Sequence, residues 1–251
     1  MTMSIAVAGK GGTGKTTFSA LLIRYLIEKK KGSILALDAD ANANLNEALG
    51  LEVDTMISDI LTETKDPKAV PSGMTKDMFI DFKMSHAIVE TTKNLDLLVM
   101  GNPQGPGCYC YPNDLLKKHL ESLSENYDYL VADNEAGLEH ISRRTIPKVE
   151  HLFVISDASA RSVRSAGRVK ELVDSLKAPV NNLYLIITKT QEQGIEPLMP
   201  EIKKTGLELI GTIPMDPLVS QFDIEGKPLF DLPADSAAVK AVQDILSQVK
   251  L

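Results

Sequence analysis

Apolar residues in this chain come in two arrangements: short unbroken runs, and stretches in which they recur every three or four positions. Runs of the first kind read as strands buried on both faces, and stretches of the second kind as helices packed on one side. Ile5-Ala6-Val7-Ala8 is the first run, and Phe18, Leu21, Leu22, Tyr25 and Leu26 then keep helical spacing as far as the polar turn at Lys29–Gly32. Further buried strands are predicted at Ser33–Leu37, Leu95–Met100, Tyr127–Asp133, His151–Ile155, Leu183–Ile187 and Glu208–Ile213, with Ala87–Glu90 a candidate antiparallel edge strand. Helices are predicted from a cap at Asn42 through Leu49, over Ile57–Leu61 and Met74–Met84, and from Asn113 through Leu123. Others follow Ser159 to about Lys177, span about Glu196–Lys204, and run over Asp235–Val249, where Val239, Val242, Ile245, Leu246 and Val249 share a face. Strand and helix alternate along the whole length, without an internal repeat or a linker. That pattern predicts one α/β domain over residues 1–251, a doubly wound, mostly parallel sheet of about seven parallel strands with helices on both faces.

The turn between the first strand and the first helix carries the chemistry. Gly9-Lys10-Gly11-Gly12-Thr13-Gly14-Lys15-Thr16-Thr17 contains the spacing G-x-x-x-x-G-K-[ST], in Gly9, Gly14, Lys15 and Thr16. Glycines there let successive backbone N–H groups converge on phosphate oxygens at a helix N-terminus, while the lysine reaches the β- and γ-phosphates and the threonine hydroxyl holds Mg²⁺. In an open parallel sheet the carboxyl ends of the strands face the ligand, which places Asp38 and Asp40 beside this loop. Asp133, at the end of another apolar strand, is followed four residues later by Gly137, a D-x-x-x-G spacing in which the carboxylate orients a water on Mg²⁺ and the glycine N–H senses the γ-phosphate.

Composition narrows the function classes. The chain is 43% hydrophobic and 24% charged, with a net charge of -7, so no clustered basic surface for nucleic acid is expected. There is no run of about 18 apolar residues for a membrane span, and no secretory signal, which predicts a cytoplasmic protein. Only two cysteines are present, Cys108 and Cys110, in a Gly/Pro-rich loop just ahead of a predicted helix N-terminus, where the thiolate is favoured. A pair so close cannot staple a fold of this size, and in a reducing compartment it points to metal binding or redox chemistry.

Lys10 is not required by the general loop pattern, yet Lys-Gly-Gly-Thr-Gly-Lys-Thr over Lys10–Thr16 resembles the deviant Walker A ATPases, the class that includes MinD, ParA and the nitrogenase iron protein. The resemblance implies ATP with Mg²⁺, and a Lys10 that reaches the nucleotide of a second subunit across a two-fold axis, hence an ATP-dependent homodimer. It implies that Asp40 positions the attacking water and that Asp38 lies near Mg²⁺ and its water shell. The family often places an asparagine at the end of the sixth strand to contact adenine; Thr188-Lys189 stands there instead, while Pro214-Met215-Asp216 resembles the second base-contacting segment. ATP rather than GTP follows from the deviant loop and from the lack of an N-K-x-D motif.

With the loop Gly105-Pro106-Gly107-Cys108-Tyr109-Cys110-Tyr111, the resemblance narrows to the CooC-type ATPases and their relative AcsF, nickel-maturation factors for carbon monoxide dehydrogenase and acetyl-CoA synthase. Two Cys-x-Cys pairs meeting at a two-fold axis would supply four thiolates, a donor set for tetrahedral Zn²⁺ or square-planar Ni²⁺. The client implied is apo carbon monoxide dehydrogenase or apo acetyl-CoA synthase; the motifs do not separate the two, nor Ni²⁺ from Zn²⁺. Two other classes remain open, an iron–sulfur electron-transfer or cluster-carrier ATPase and a MinD/ParA-like ATPase of spatial organisation. The first spaces its cysteines far apart along the chain, and the second is opposed by the acidic balance and by a C-terminus without a basic amphipathic tail. For the water-positioning role of Asp40, the Asp40→Ala variant should keep ATP binding while abolishing turnover; normal hydrolysis by that variant would remove Asp40 from the mechanism.

Overall fold

The computed structural model describes residues 2–66, 68–102, 117–118, 120–134, 148–192 and 194–251. Among these, eight strands form one sheet: β1 (Met3–Gly9), β2 (Ile34–Ala39), β3 (Val89–Glu90), β4 (Leu95–Val99), β5 (Tyr129–Asn134), β6 (Val149–Asp157), β7 (Val180–Thr190) and β8 (Glu208–Pro214). Their order is β3-β4-β2-β5-β1-β6-β7-β8, and every pairing is parallel except β3 with β4. The candidate edge strand therefore exists, shortened to two residues and antiparallel as expected. All six residues of β2 and of β5 are buried, which explains why the parallel strands read as unbroken apolar runs: helices cover both faces.

The helices are α1 (Lys15–Glu28), α2 (Leu45–Leu49), α3 (Ile57–Glu63), α4 (Lys76–His86), α5 (Ala160–Leu176), α6 (Met199–Thr205), α7 (Pro217–Glu225) and α8 (Ala237–Ser247), and residues 120–124 are helical as well. One apolar layer joins α1, α2 and α8 to Ile5, Val7 and Val131 of the sheet; the other joins α3, α4, α5 and α6 to Ala6, Ala132 and Val154. Alternate residues of one strand thus feed opposite layers, as the two-residue period of a strand requires. Phe18 of α1 meets Phe153 of β6 with ring centroids 5.2 Å apart, so the helix that follows the glycine loop is keyed to the middle of the sheet. No helix among the described residues is long and apolar enough to cross a membrane.

Two local expectations need correction. Asn42 does not cap α2, which starts at Leu45 after Asn44; Asn42 instead bonds the side chain of Asp40 through its own N–H and amide. The helix α7 has no counterpart among the predicted helices: it is nine residues long, and its apolar residues Leu218, Val219 and Phe222 pack against the core without becoming fully buried, so its apolar stripe is short and weak. Its start was nevertheless encoded as Asp216-Pro217, a capping acid followed by a proline at the first helical position.

Asp216 is a structural hub at the end of β8. It is 7% exposed, and its Oδ1 accepts from Leu218 N–H at 2.9 Å while Oδ2 accepts from Ser236 Oγ at 2.6 Å and Ala238 N–H at 3.0 Å. Burial works to raise its pKa, but the bonds from Ser236, Ala238 and Leu218 outweigh it and hold the carboxyl below its ordinary value. The stability gained is then fully present above the unfolded-state pKa and is lost as the pH falls through the lower folded-state value. Asp216→Asn should cost about 1–3 kcal/mol at neutral pH and flatten the acid limb of a stability–pH curve measured by urea unfolding; an unaltered acid limb would refute the charge-based account. Gly9, at the end of β1, has φ +149, and a Cβ there would lie 2.2 Å from the Ile155 carbonyl oxygen of β6. Gly9→Ala is expected to destabilise by about 2 kcal/mol or more. An unshifted thermal midpoint would show that β1 and β6 can separate without cost.

Candidate functional site

β1 lies between β5 and β6, so the turn that leaves it emerges at the centre of the sheet's carboxyl edge. Gly12 (φ 76) and Gly14 (φ 89) hold left-handed backbone there, and no atom lies within 4 Å of where a Cβ would be at either. Backbone conformation, rather than crowding, is what requires glycine at both. Thr13 is fully buried, its hydroxyl donating to Lys10 O at 2.8 Å to close the turn. Gly14 is the N-cap of α1 and offers no side chain, and the first turn of α1 holds no acidic residue. Uncapped N–H groups and the positive end of the dipole therefore face the turn with no anion of the protein's own to satisfy them.

Around this helix start the structure gathers most of the predicted residues. Lys15 is buried at 7% exposure, Thr16 and Thr17 are half-buried, and Lys10, Gly11 and Gly12 are exposed at the rim. Thr16 Oγ1 donates to Asp133 Oδ2 at 2.7 Å, while Asp133 Oδ1 is buried without a partner. Asp38 stands opposite Asp133 in the β2–β5 register and is wholly buried. Its Oδ2 accepts from Leu45 N–H at 2.8 Å and its Oδ1 from Asp40 N–H at 3.1 Å, so it holds the segment that carries Asp40. Asp40, half-buried, lines a cleft of ≈ 970 Å³ together with Gly11, Gly12, Lys15 and Thr16.

Burial pushes Asp133 up to about 7, with the charge of Asp38 adding to it and Thr16 and Lys15 opposing, and burial pushes Asp38 up to about 6. Two such carboxylates, one with an unpaired oxygen, are favoured in the ionised form by a nearby cation. The hydroxyl of Thr16 and the carboxylate of Asp133 are hard oxygen donors of the kind that suits Mg²⁺. A glycine turn with uncapped helical N–H groups suits the phosphates that Mg²⁺ accompanies.

A second cavity of ≈ 180 Å³ adjoins the cleft, sharing Gly14, Thr17 and Lys189 with it and lined also by Thr188, Pro214 and Met215. Asp216 also borders it, but its carboxylate oxygens are taken up by α7, α8 and Ser236. Thr188 and Lys189 contact the glycine turn itself, through Thr13 O and Gly12 O. That contact was not expected from the sequence, where the only signal was the substitution of Thr-Lys for the family's asparagine. Gly137, Cys108 and Cys110 lie outside the described residues. Among the described residues no group of three or more His, Cys, Asp or Glu is placed to hold a metal ion.

With this geometry in place, comparison with known proteins assigns the family. A family model described as the CobQ/CobB/MinD/ParA nucleotide binding domain matches residues 4–229. An uncharacterised ATP-binding protein of Methanocaldococcus jannaschii is 42% identical over 98% of this chain and 98% of its own length. The carbon monoxide dehydrogenase accessory protein CooC of Rhodospirillum rubrum is 28% identical over 92% of this chain and 90% of its own. Among solved structures, the septum site-determining protein MinD of Pyrococcus horikoshii complexed with Mg-ADP superposes with a TM-score of 0.72 at 23% identity, over 100% of this chain and 96% of that one, and so shares the fold. The chain belongs to the CobQ/CobB/MinD/ParA nucleotide-binding family and is a P-loop ATPase.

Proposed function

We propose that this ATPase is a CooC/AcsF-type nickel metallochaperone, a cytoplasmic homodimer that delivers metal to apo carbon monoxide dehydrogenase or apo acetyl-CoA synthase. The observation that carries the reading is the Cys-x-Cys loop at Cys108 and Cys110, in a chain that is similar over 92% of its length to a carbon monoxide dehydrogenase accessory protein. One chain then offers half of a four-thiolate site, and the cargo ion, Ni²⁺ or in its place Zn²⁺, joins two chains.

In this reading the turn Gly9–Thr17 cradles the triphosphate with its N–H groups, and the Lys15 ammonium balances charge on the β- and γ-phosphates. Thr16 and Asp133 hold Mg²⁺, with Asp38 behind them, and the metal would supply neutralisation of the charge that develops on the phosphoryl oxygens. Asp40 holds the attacking water in line, and Asp38, by accepting the Asp40 N–H, keeps that carboxylate in place. Lys10, exposed at the rim, extends to the nucleotide of the second subunit, and Gly137 senses the γ-phosphate. The base occupies the smaller cavity beside Pro214 and Met215. ATP and metal both favour the dimer, so each raises the apparent affinity of the other.

Sedimentation of the apo, ATP-bound and nickel-bound protein tests the cycle, with a dimer expected in the latter two and a monomer under all three conditions counting against it. In the same preparation Cys108→Ala should lose nickel binding and metal-driven dimerisation while ATP still binds and dimerises the chain. Nickel retained by that variant with unchanged stoichiometry would sink the metallochaperone reading, and a visible absorbance band near ~400 nm in anaerobic protein would favour an iron–sulfur carrier instead.

A further inference from the structure

β7 does not end as a regular strand. Thr188 pairs with Ile213 of β8 and Thr190 with Pro214, so Lys189 is an extra residue with no register partner. Its φ of 55 places a non-glycine side chain in the left-handed region. Such a bulge re-aims side chains, and holding a lysine there costs about 1 kcal/mol or more, so the surrounding structure must enforce it.

The bulge has a visible consequence. In an unbroken strand residues 188 and 189 would point to opposite faces. Here both reach the glycine turn: Thr188 Oγ1 donates to Thr13 O at 2.6 Å, with Ser156 O a second acceptor at 3.2 Å, and Lys189 Nζ donates to Gly12 O at 2.8 Å. Two consecutive side chains thus hold two consecutive carbonyls. A trans peptide points its C=O and N–H in opposite directions, so drawing the Thr13 carbonyl toward β7 turns the Gly14 N–H away from it. The Gly12 carbonyl does the same for the Thr13 N–H, whose bond to Lys10 O is long at 3.4 Å. Thr188 is buried and Lys189 exposed, so the threonine bond is the stronger of the two.

We propose that Thr188 and Lys189 are positioning residues that pre-set the N–H directions of the phosphate loop, rather than readers of the base. This rests on the assignment of Gly9–Thr17 to the triphosphate, and the experiment separates the two. Binding of ATP, inorganic triphosphate and adenosine is measured by titration calorimetry for the unmodified protein, Thr188→Val, Thr188→Ser and Lys189→Gly. Thr188→Val should weaken ATP and triphosphate by about tenfold each and leave adenosine within about twofold, and Thr188→Ser should restore both within about threefold. Lys189→Gly should weaken ATP and triphosphate by about threefold without lowering the thermal midpoint, since glycine relieves the left-handed strain. The proposal is overturned if Thr188→Val leaves triphosphate binding unchanged, or if ATP and adenosine weaken together while triphosphate does not. Should Thr188→Val fail to fold, unchanged triphosphate binding by Lys189→Gly overturns it alone. Failure of the unmodified protein to bind ATP would overturn the phosphate-loop assignment, and this inference with it.

Discussion

The parallel pairing of β1 with β5 on one side and β6 on the other is the constraint on which the site depends. It puts Val7 level with Asp133 and Gly9 level with Ile155, so that the glycine turn leaves the sheet between a buried carboxylate and a carbonyl too close for any side chain at Gly9. β2 joins the other edge of β5 and brings Asp38 level with Asp133. Three strands distant in sequence thereby place a helix N-terminus and two carboxylates at one edge of the sheet, where ligands of open α/β folds bind.

The electrostatics follow from that register. Carboxylates in the interior of a sheet lose hydration, and Asp38 and Asp133 face each other across one strand pairing. Asp38 is kept by two backbone N–H groups, and Asp133 has one oxygen on Thr16 and one without a partner. Backbone donors make Asp38 a fixture of the loop bearing Asp40, whereas the spare oxygen of Asp133 leaves that carboxylate free to take a further ligand.

On the far side of the turn, β7 and β8 contribute through irregularities rather than through their strands. A bulge at Lys189 and a capping acid at Asp216 tie the glycine turn, α7 and α8 to the same sheet edge. The polar groups that border the smaller cavity are thus largely engaged in holding the protein together.

Much of this was legible in the chain. Unbroken apolar runs identified the strands because strands buried on both faces need apolar residues at every position, and the helix faces were legible for the complementary reason. The glycine turn was recognisable because left-handed backbone at Gly12 and Gly14 and the charge of Lys15 are demands on residue type. The helix α7 was not legible because its apolar stripe is only the half-buried Leu218, Val219 and Phe222, and the bulge at Lys189 was not because a lysine in left-handed backbone carries no compositional mark. Residue type and local spacing, then, determined the strands, most helices and the phosphate loop, since each depends on neighbours within a turn or two of chain. Strand order, the pairing of Asp38 with Asp133 and the grip of Thr188 on Thr13 were decided only by the tertiary structure, because they join residues from 95 to 175 positions apart through the register of the sheet.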